Sequence, residues 1–163
     1  MNMEVVFESE RINFIKINET LANEFVIMVN DPEVQRFISK KRITYTIDEE
    51  KEWINDKIKE NAFIFSMIEK DTNEFIGNIE IMEINNGIGE LGISITPKKQ
   101  NNHFGQEAIK RFIDYAFLKL NLDNIELNVF NFNPRAIRCY EKSGFIIDGP
   151  GKEEDDIHMI YQK

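Results

Sequence analysis

The order of apolar patterns along the chain predicts a mixed α/β (α+β) fold, a sheet with helices packed on its faces. Three observations lead there. Three alternating apolar segments follow one another between Phe63 and Ile95. The longest helical pattern, Phe104 to Leu120, comes directly after them. Helix-start signatures recur at Asp31-Pro32, at Thr46-Ile47-Asp48-Glu49 and at Asn133-Pro134. With 163 residues, the chain is expected to form a single domain, 1–163, large enough to bury a full core.

Taken in order, Val5 to Ile17 reads as one edge-type strand whose parity shifts between Phe14 and Ile15, a sign of a bulge. Leu21, Phe25, Met28 and Val29 repeat at helical spacing. Asp31 caps a short second helix with Val34, Phe37 and Ile38 on its inner side. The capping box at Thr46 and Glu49 opens a third helix, with Ile47, Trp53, Ile54 and Ile58 inward. Its outer face carries Glu49, Glu50, Glu52, Asp56 and Glu60. This is first of all a solvated face, but one whose carboxylates suit a neighbouring amine-binding cleft.

Phe63, Phe65 and Met67 alternate with Ile64, Ser66 and Ile68, so this strand is expected to be covered on both faces. Asn85-Asn86-Gly87 joins the next two strands, because Asn-Gly tolerates the positive φ that a tight hairpin turn requires. On the returning strand, Ile88 to Ile95, Leu91, Ile93 and Ile95 share one face and Glu90, Gly92 and Ser94 the other. Ile125, Leu127 and Val129 form a further strand. Asn133-Pro134 then opens a short helix, which Gly144 ends. Strands at Phe145 to Ile147 and Ile157 to Tyr161 complete the chain.

The net charge of −9 argues against nucleic acid and anionic membrane as main partners and favours cationic small molecules or basic protein termini. One cysteine, Cys139, excludes an intramolecular disulfide and fits a reducing compartment. Met1 to Val5 shows neither the basic nor the apolar region of a secretion signal, so a cytoplasmic protein is expected. His103, His158 and Cys139 show no metal-ligand spacing, so no metal is expected. Oligomeric state stays open, with edge strands near the C-terminus favouring a homodimer.

The chemistry concentrates in the polar loop Lys99 to Gln106, which carries no acidic residue and feeds the longest helix. The first turn of a helix has N–H groups without intrahelical partners, and the helix dipole adds positive potential, so this loop suits the diphosphate of a nucleotide-like cofactor. Downstream lies Asn133-Pro134-Arg135-Ala136-Ile137-Arg138-Cys139-Tyr140-Glu141-Lys142-Ser143-Gly144-Phe145. Together the two segments resemble the GNAT acetyltransferase superfamily. In that family a Gln/Arg-x-x-Gly-x-Gly/Ala loop binds the CoA pyrophosphate, and an Asn-x-x-Ala-x-x-x-Tyr-x-x-x-Gly-Phe stretch supplies a tyrosine near the thiol. The second pattern is met at Asn133, Ala136, Tyr140, Gly144 and Phe145. Asn30 to Val34 also resembles the branch of ribosomal-protein-alanine and spermidine N-acetyltransferases.

The resemblance implies a GNAT-like mixed, mostly antiparallel twisted sheet of about six to seven strands with about four to five flanking helices. It implies acetyl-CoA as co-substrate and an acetyl group moved to a primary amine by direct attack in a ternary complex. The acceptor would be a polyamine, an amino sugar or a protein N-terminus. The cofactor-binding residues it implies are Ile93, Ser94 and Ile95 for the pantetheine arm, and Gln100, Asn101, Asn102, His103, Phe104, Gly105 and Gln106 for the diphosphate. Asn133 and Tyr140 complete that set. Tyr140 is the implied general acid, a phenol of pKa about 10 protonating a thiolate of similar basicity. Glu90 is the candidate general base, with Glu80 and Glu83 as competitors. The loop departs from the family pattern at His103, where glycine is usual, and at Asn101, often glycine too. Both residue types are enriched at positive φ. The alternative that follows from the altered loop is a non-catalytic acyl-CoA-binding or regulatory module.

Overall fold

The computed structural model describes residues 3–38 and 41–163; Met1 and Asn2, part of the leader reading above, lie outside them. The elements run β1 (Val5–Glu8), β2 (Ile12–Lys16), α1 (Ala22–Asn30), α2 (Pro32–Gln35), α3 (Ile47–Lys59), β3 (Phe63–Glu69), β4 (Phe75–Asn85) and β5 (Ile88–Ile95). They continue with α4 (Phe104–Lys119), β6 (Asn124–Phe130), α5 (Pro134–Lys142), β7 (Phe145–Pro150) and β8 (Asp156–Tyr161). The strands form one sheet in the order β1-β2-β3-β4-β5-β6-β8-β7. All neighbours are antiparallel except β5 and β6. The sheet therefore has eight strands, one or two more than expected.

The added strand comes from Val5 to Ile17, which is a hairpin and not one strand. The polar run Glu8-Ser9-Glu10-Arg11 forms its turn, where the Ser9 N–H donates to the Ile12 carbonyl. Phe14 and Ile15 are both buried because β2 lies inside the sheet and is covered on both faces. The parity shift thus marks double burial, and the register irregularity sits on β1 between Val5 and Phe7.

Two apolar cores form, one on each face. Phe65, Met67, Ile79, Ile81 and Leu91 pack under Phe104, Ile109, Phe112 and Ile113 of α4. Ile64 and Ile68 pack under Leu21, Phe25 and Met28 of the α1 region and Ile54 of α3. Only the central part of α3 enters this second core. Ile47 and Ile58, on its end turns, remain 42% and 53% exposed, while Glu50 is 6% exposed. In α2, Val34 is buried, but the helix ends at Gln35, leaving Phe37 half-buried and Ile38 exposed. Gln35 takes the inner position instead, its amide donating to the Val29 carbonyl and accepting from the Ile43 N–H.

The Asn86-Gly87 turn has φ of 52° and 81°, the double positive value that matches the twist of a hairpin. A Cβ on Gly87 would also lie 2.2 Å from Asp123 Oδ2, so any other residue would have to displace that carboxylate as well as adopt the positive φ. Beyond this turn β5 and β6 pair only from Ile88–Glu90 to Asn124–Glu126. They then part, leaving Leu91 to Ile95 and Leu127 to Phe130 without each other. That opening is the centre of the candidate site.

Candidate active site

The parting strands expose main-chain groups to a gap. Thr96 N–H donates to the Ile76 carbonyl, and Asn78 lies opposite Ser94. By the alternation of an antiparallel ladder, Gly92 and Ser94 bond toward β4, whereas Leu91, Ile93 and Ile95 turn their N–H and C=O toward the gap. Part of that edge is already used: the Ile95 carbonyl accepts from Gln100 Nε2 at 3.0 Å. The remainder is an open strand edge of the kind an extended amide-bearing chain can join.

At the end of β5 the chain turns into the polar loop. Asn101 and His103 both have φ of 63°, in the left-handed region, so they occupy the conformation that glycine would supply. The altered loop therefore keeps the backbone course that glycines allow. His103 is the N-cap of α4 but makes no side-chain capping bond. Helix α4 starts at Phe104, where its apolar pattern begins, and its first-turn amides face the cleft uncapped. Gly105 is close to Cys139, whose Sγ would stand 3.5 Å from an added Cβ.

Helix α5 faces this loop. Asn133 Oδ1 caps it by accepting from the Ala136 N–H at 3.3 Å. Gly144 ends the segment at φ 106°. Between them Tyr140 lines the cleft and meets the Phe145 ring edge-to-face at 6.2 Å. Burial pushes the Tyr140 phenol well above the ordinary tyrosine range, so it stays protonated. Burial also raises the thiol of the neighbouring Cys139, against the opposing influence of Ser143 and Lys142. Cys139 packs at the margin of the α4 core.

One cleft of about 1130 Å³ joins these features. At one end it is lined by Gln100, Asn101, His103, Gly105, Gln106 and Arg135. At the other it is lined by Glu33, Glu49, Glu50, Glu52, Asp56 and Glu80. Because Phe104 and Ile109 of α4 share the cleft with α2 and α3, it passes through the gap from one face of the sheet to the other. Of the residues singled out in the sequence, Ile93, Ser94, Ile95, Phe104, Asn133 and Tyr140 also line it. Asn102 does not; its amide donates to the Gln100 carbonyl at 2.9 Å.

Glu90 is turned elsewhere. Its carboxylate takes Lys152 Nζ at 2.5 Å and Asn128 Nδ2 at 3.2 Å, and it is not part of the cleft wall. Glu83 stands 3.8 Å from the same lysine. Glu80, on β4 opposite Gly92, does line the cleft. Burial raises its carboxyl above the usual range, partly countered by Lys57. Beside it Asn78 is fixed by Ser66 Oγ, which donates to its Oδ1 at 2.7 Å. Glu50 on α3 is likewise raised, first by burial and then by the charge of Glu49.

Sequence reasoning did not find Arg135 or Lys152. Arg135 lies within the recognised motif but at an unspecified position. Lys152 reaches Glu90 from a loop 62 residues away, which no local pattern encodes. The loop after β7 contributes Glu153 to the cleft wall and the helices their carboxylates, but the tip of the β4–β5 hairpin contributes none. Among the described residues no group of His, Cys, Asp and Glu is arranged to hold a metal ion, and no helix is long and apolar enough to cross a membrane.

This geometry fits CoA on its own terms: uncapped helix amides and basic side chains in an otherwise acidic protein, next to an open strand edge. Comparison with known proteins agrees. A sequence model of the acetyltransferase (GNAT) domain matches residues 11–146. A spermidine N(1)-acetyltransferase of Vibrio cholerae serotype O1 is 37% identical over 119 residues, 72% of this chain and 69% of that protein. An uncharacterized N-acetyltransferase, p20, of Bacillus licheniformis is 29% identical over 152 residues, 90% of this chain and 85% of that protein. Among solved structures, spermidine N-acetyltransferase from Vibrio cholerae in complex with CoA and spermine superposes with a TM-score of 0.82. It is 27% identical, with 92% of this chain and 94% of that chain covered.

Proposed function

The chain belongs to the GNAT acetyltransferase family and is an acetyl-CoA-dependent N-acetyltransferase; on that premise we propose that its acceptor is a polyamine. The observation that carries this is the division of one cleft into a phosphate-suited end and an end walled by Glu33, Glu49, Glu50, Glu52, Asp56 and Glu80. A linear cation with several ammonium groups can place one amine at the gap while its others stay among these carboxylates. The spermidine N-acetyltransferases among the relatives agree in substrate class. A sugar with a single amine or a single protein N-terminus would leave most of those charges unused, and an aminoglycoside holds its several ammonium groups on rigid rings that cannot extend along the wall as a linear chain does.

Bound acetyl-CoA supplies an activated acetyl thioester. The protein's part is then positional and acid–base. The loop from Gln100 to Gln106 and the first turn of α4 hold the diphosphate, and the gap-facing edge at Ile93 and Ile95 receives the pantetheine arm. The Ile93 N–H is the donor for the thioester carbonyl oxygen. Glu80, raised by burial, takes the proton that the acceptor must lose before it can attack. The Tyr140 Oη, kept protonated by burial, holds the proton that the departing sulfur requires. Attack is direct, in a ternary complex. Glu90 is left in its ion pair and serves to hold the loop after β7 against β6.

Thiol release from acetyl-CoA, measured over spermidine, spermine, an aminoglycoside and a peptide N-terminus, tests this. The polyamines are expected to show the highest kcat/KM, falling as salt is raised. A clear preference for the sugar or the peptide overturns the polyamine assignment.

A further inference from the structure

We propose that Arg135 is a positioning residue for CoA: its guanidinium clamps the diphosphate loop in the shape the ligand needs before the ligand arrives. The inference rests on the assignment of the Gln100–Gln106 loop to CoA. It begins from a problem in that loop. Asn101 and His103 hold left-handed backbone conformations at φ 63°, which carry a penalty in any residue with a Cβ. Both are exposed, so no buried apolar contact secures them. Left to itself such a loop would sample other conformations, and CoA would have to select the right one.

Arg135 supplies the missing restraint. Its Nη1 donates to Asn101 Oδ1 at 2.8 Å and its Nη2 to Gln100 Oε1 at 2.8 Å. Gln100 in turn donates from Nε2 to the Ile95 carbonyl at the end of β5. One connected set of hydrogen bonds thus ties the strand that faces the gap, the loop, and the second residue of α5. The base of the clamp is itself fixed, because Asn133 caps α5 two residues earlier. The same helix carries Tyr140, so the loop is held in register with the proposed acid. Both acceptors are neutral amide oxygens, so the fork spends no carboxylate and leaves its positive charge beside the anion site. The planar fork presents two donors from two nitrogens in a fixed geometry that matches these two oxygens; a lysine ammonium, one nitrogen on a flexible stem, would have to draw both oxygens to a single point and offers no such preorganisation.

Calorimetric titration of the full chain with CoA tests this without requiring any acceptor. Arg135→Ala is expected to weaken CoA binding on the order of ten-fold, with the thermal midpoint of the ligand-free protein lowered by no more than about a few degrees, the counterpart of the lost loop restraint. Arg135→Lys is expected to weaken it as much. In a Gln100→Ala/Asn101→Ala background, adding Arg135→Ala should change Kd by less than about two-fold, since the clamp has nothing left to hold. Recovery of wild-type affinity by lysine, or full additivity in that background, would mean a direct contact to phosphate and overturn the positioning role. An unchanged Kd in Arg135→Ala also overturns it. Failure of the unaltered protein to bind CoA would remove the loop assignment itself, a separate result from failure of the clamp.

Discussion

At the cofactor end of the cleft, the groups offered to a ligand are mostly backbone: the amides of the loop and of the first turn of α4, and the free edge of β5. At the acceptor end they are side chains, carboxylates brought together from α2, α3 and β4. The first arrangement depends on local chain geometry, on which residue has positive φ and where a helix begins. Only a few residue types satisfy it, in a fixed order. The second depends on how distant segments align across a sheet, and many sequences satisfy it. One end therefore reads as a motif and the other as a charge distribution. On the proposed assignment the chemistry takes place where they meet, and the substitutions below separate the two contributions.

The largest effect is expected at the meeting point. Tyr140→Phe removes one hydroxyl and leaves the ring against Phe145. It should lower kcat by about 10²–10³, the range for a lost general acid, while CoA affinity changes little. Steady-state thiol release and CoA titration measure the two quantities. Turnover equal to wild type would remove the tyrosine from the mechanism.

Glu80 and Glu90 come next, because their positions offer a direct contrast. Glu80→Gln should lower kcat/KM for the polyamine by about 10² and abolish the acidic limb of its pH profile. That limb should lie above the ordinary carboxylate range, since burial raises the Glu80 carboxyl. Glu90→Gln breaks an ion pair outside the cleft and should keep the limb. The reverse pattern would return the base role to Glu90.

A third substitution tests how far the backbone-built end depends on contacts outside the cleft. Glu107, in α4, accepts from Ser9 Oγ at 2.6 Å, from the Arg11 N–H at 2.8 Å and from Arg11 Nε at 2.7 Å. Burial pushes its carboxyl up, but these three bonds outweigh burial and hold it below the usual range. Glu107→Gln should cost about 2 kcal/mol in urea unfolding at neutral pH, the scale of hydrogen bonds to a charged group. A depressed carboxyl contributes fully above its unfolded value of about 4.3 and loses its contribution as pH falls through the folded one. The gap between wild type and variant should therefore be constant from neutrality to about pH 5 and close below about pH 4. A gap independent of pH would mean that the charge is irrelevant.

These contrasts also explain what could be read in advance. The Asn133 cap, the Gly144 stop and the Asn86-Gly87 hairpin were legible because each meets a stereochemical demand within a few residues. The loop and Tyr140 were legible as a family pattern. Glu50 reads as a surface residue on a charged helix face, yet lies buried because only the middle of α3 meets the core. The β1–β2 hairpin was missed because double burial of β2 imitates a bulge. Arg135 and Lys152 were missed because their partners are 34 to 62 residues away. What escaped is tertiary: pairs of groups whose meeting depends on the assembled sheet.

The smallest effect should come from the carboxylates of the acceptor end, taken singly. Glu49 and Glu52 lie on the exposed side of α3, where a charge interacts through water and each contact is worth under about 1 kcal/mol. Glu49→Gln and Glu52→Gln should each raise KM for spermine by about three-fold with unchanged kcat, and leave KM for acetyl-CoA untouched. The double variant should raise it by less than the product of the two, because Glu49 and Glu52 are neighbours at i,i+3 on one helix and act on the same polycation. In high salt the difference from wild type should fade, since the Debye length drops to about 3 Å at 1 M. A loss that survives high salt would point to a fixed hydrogen bond to the amine, and that part of the wall would then resemble the cofactor end, built for position more than for charge.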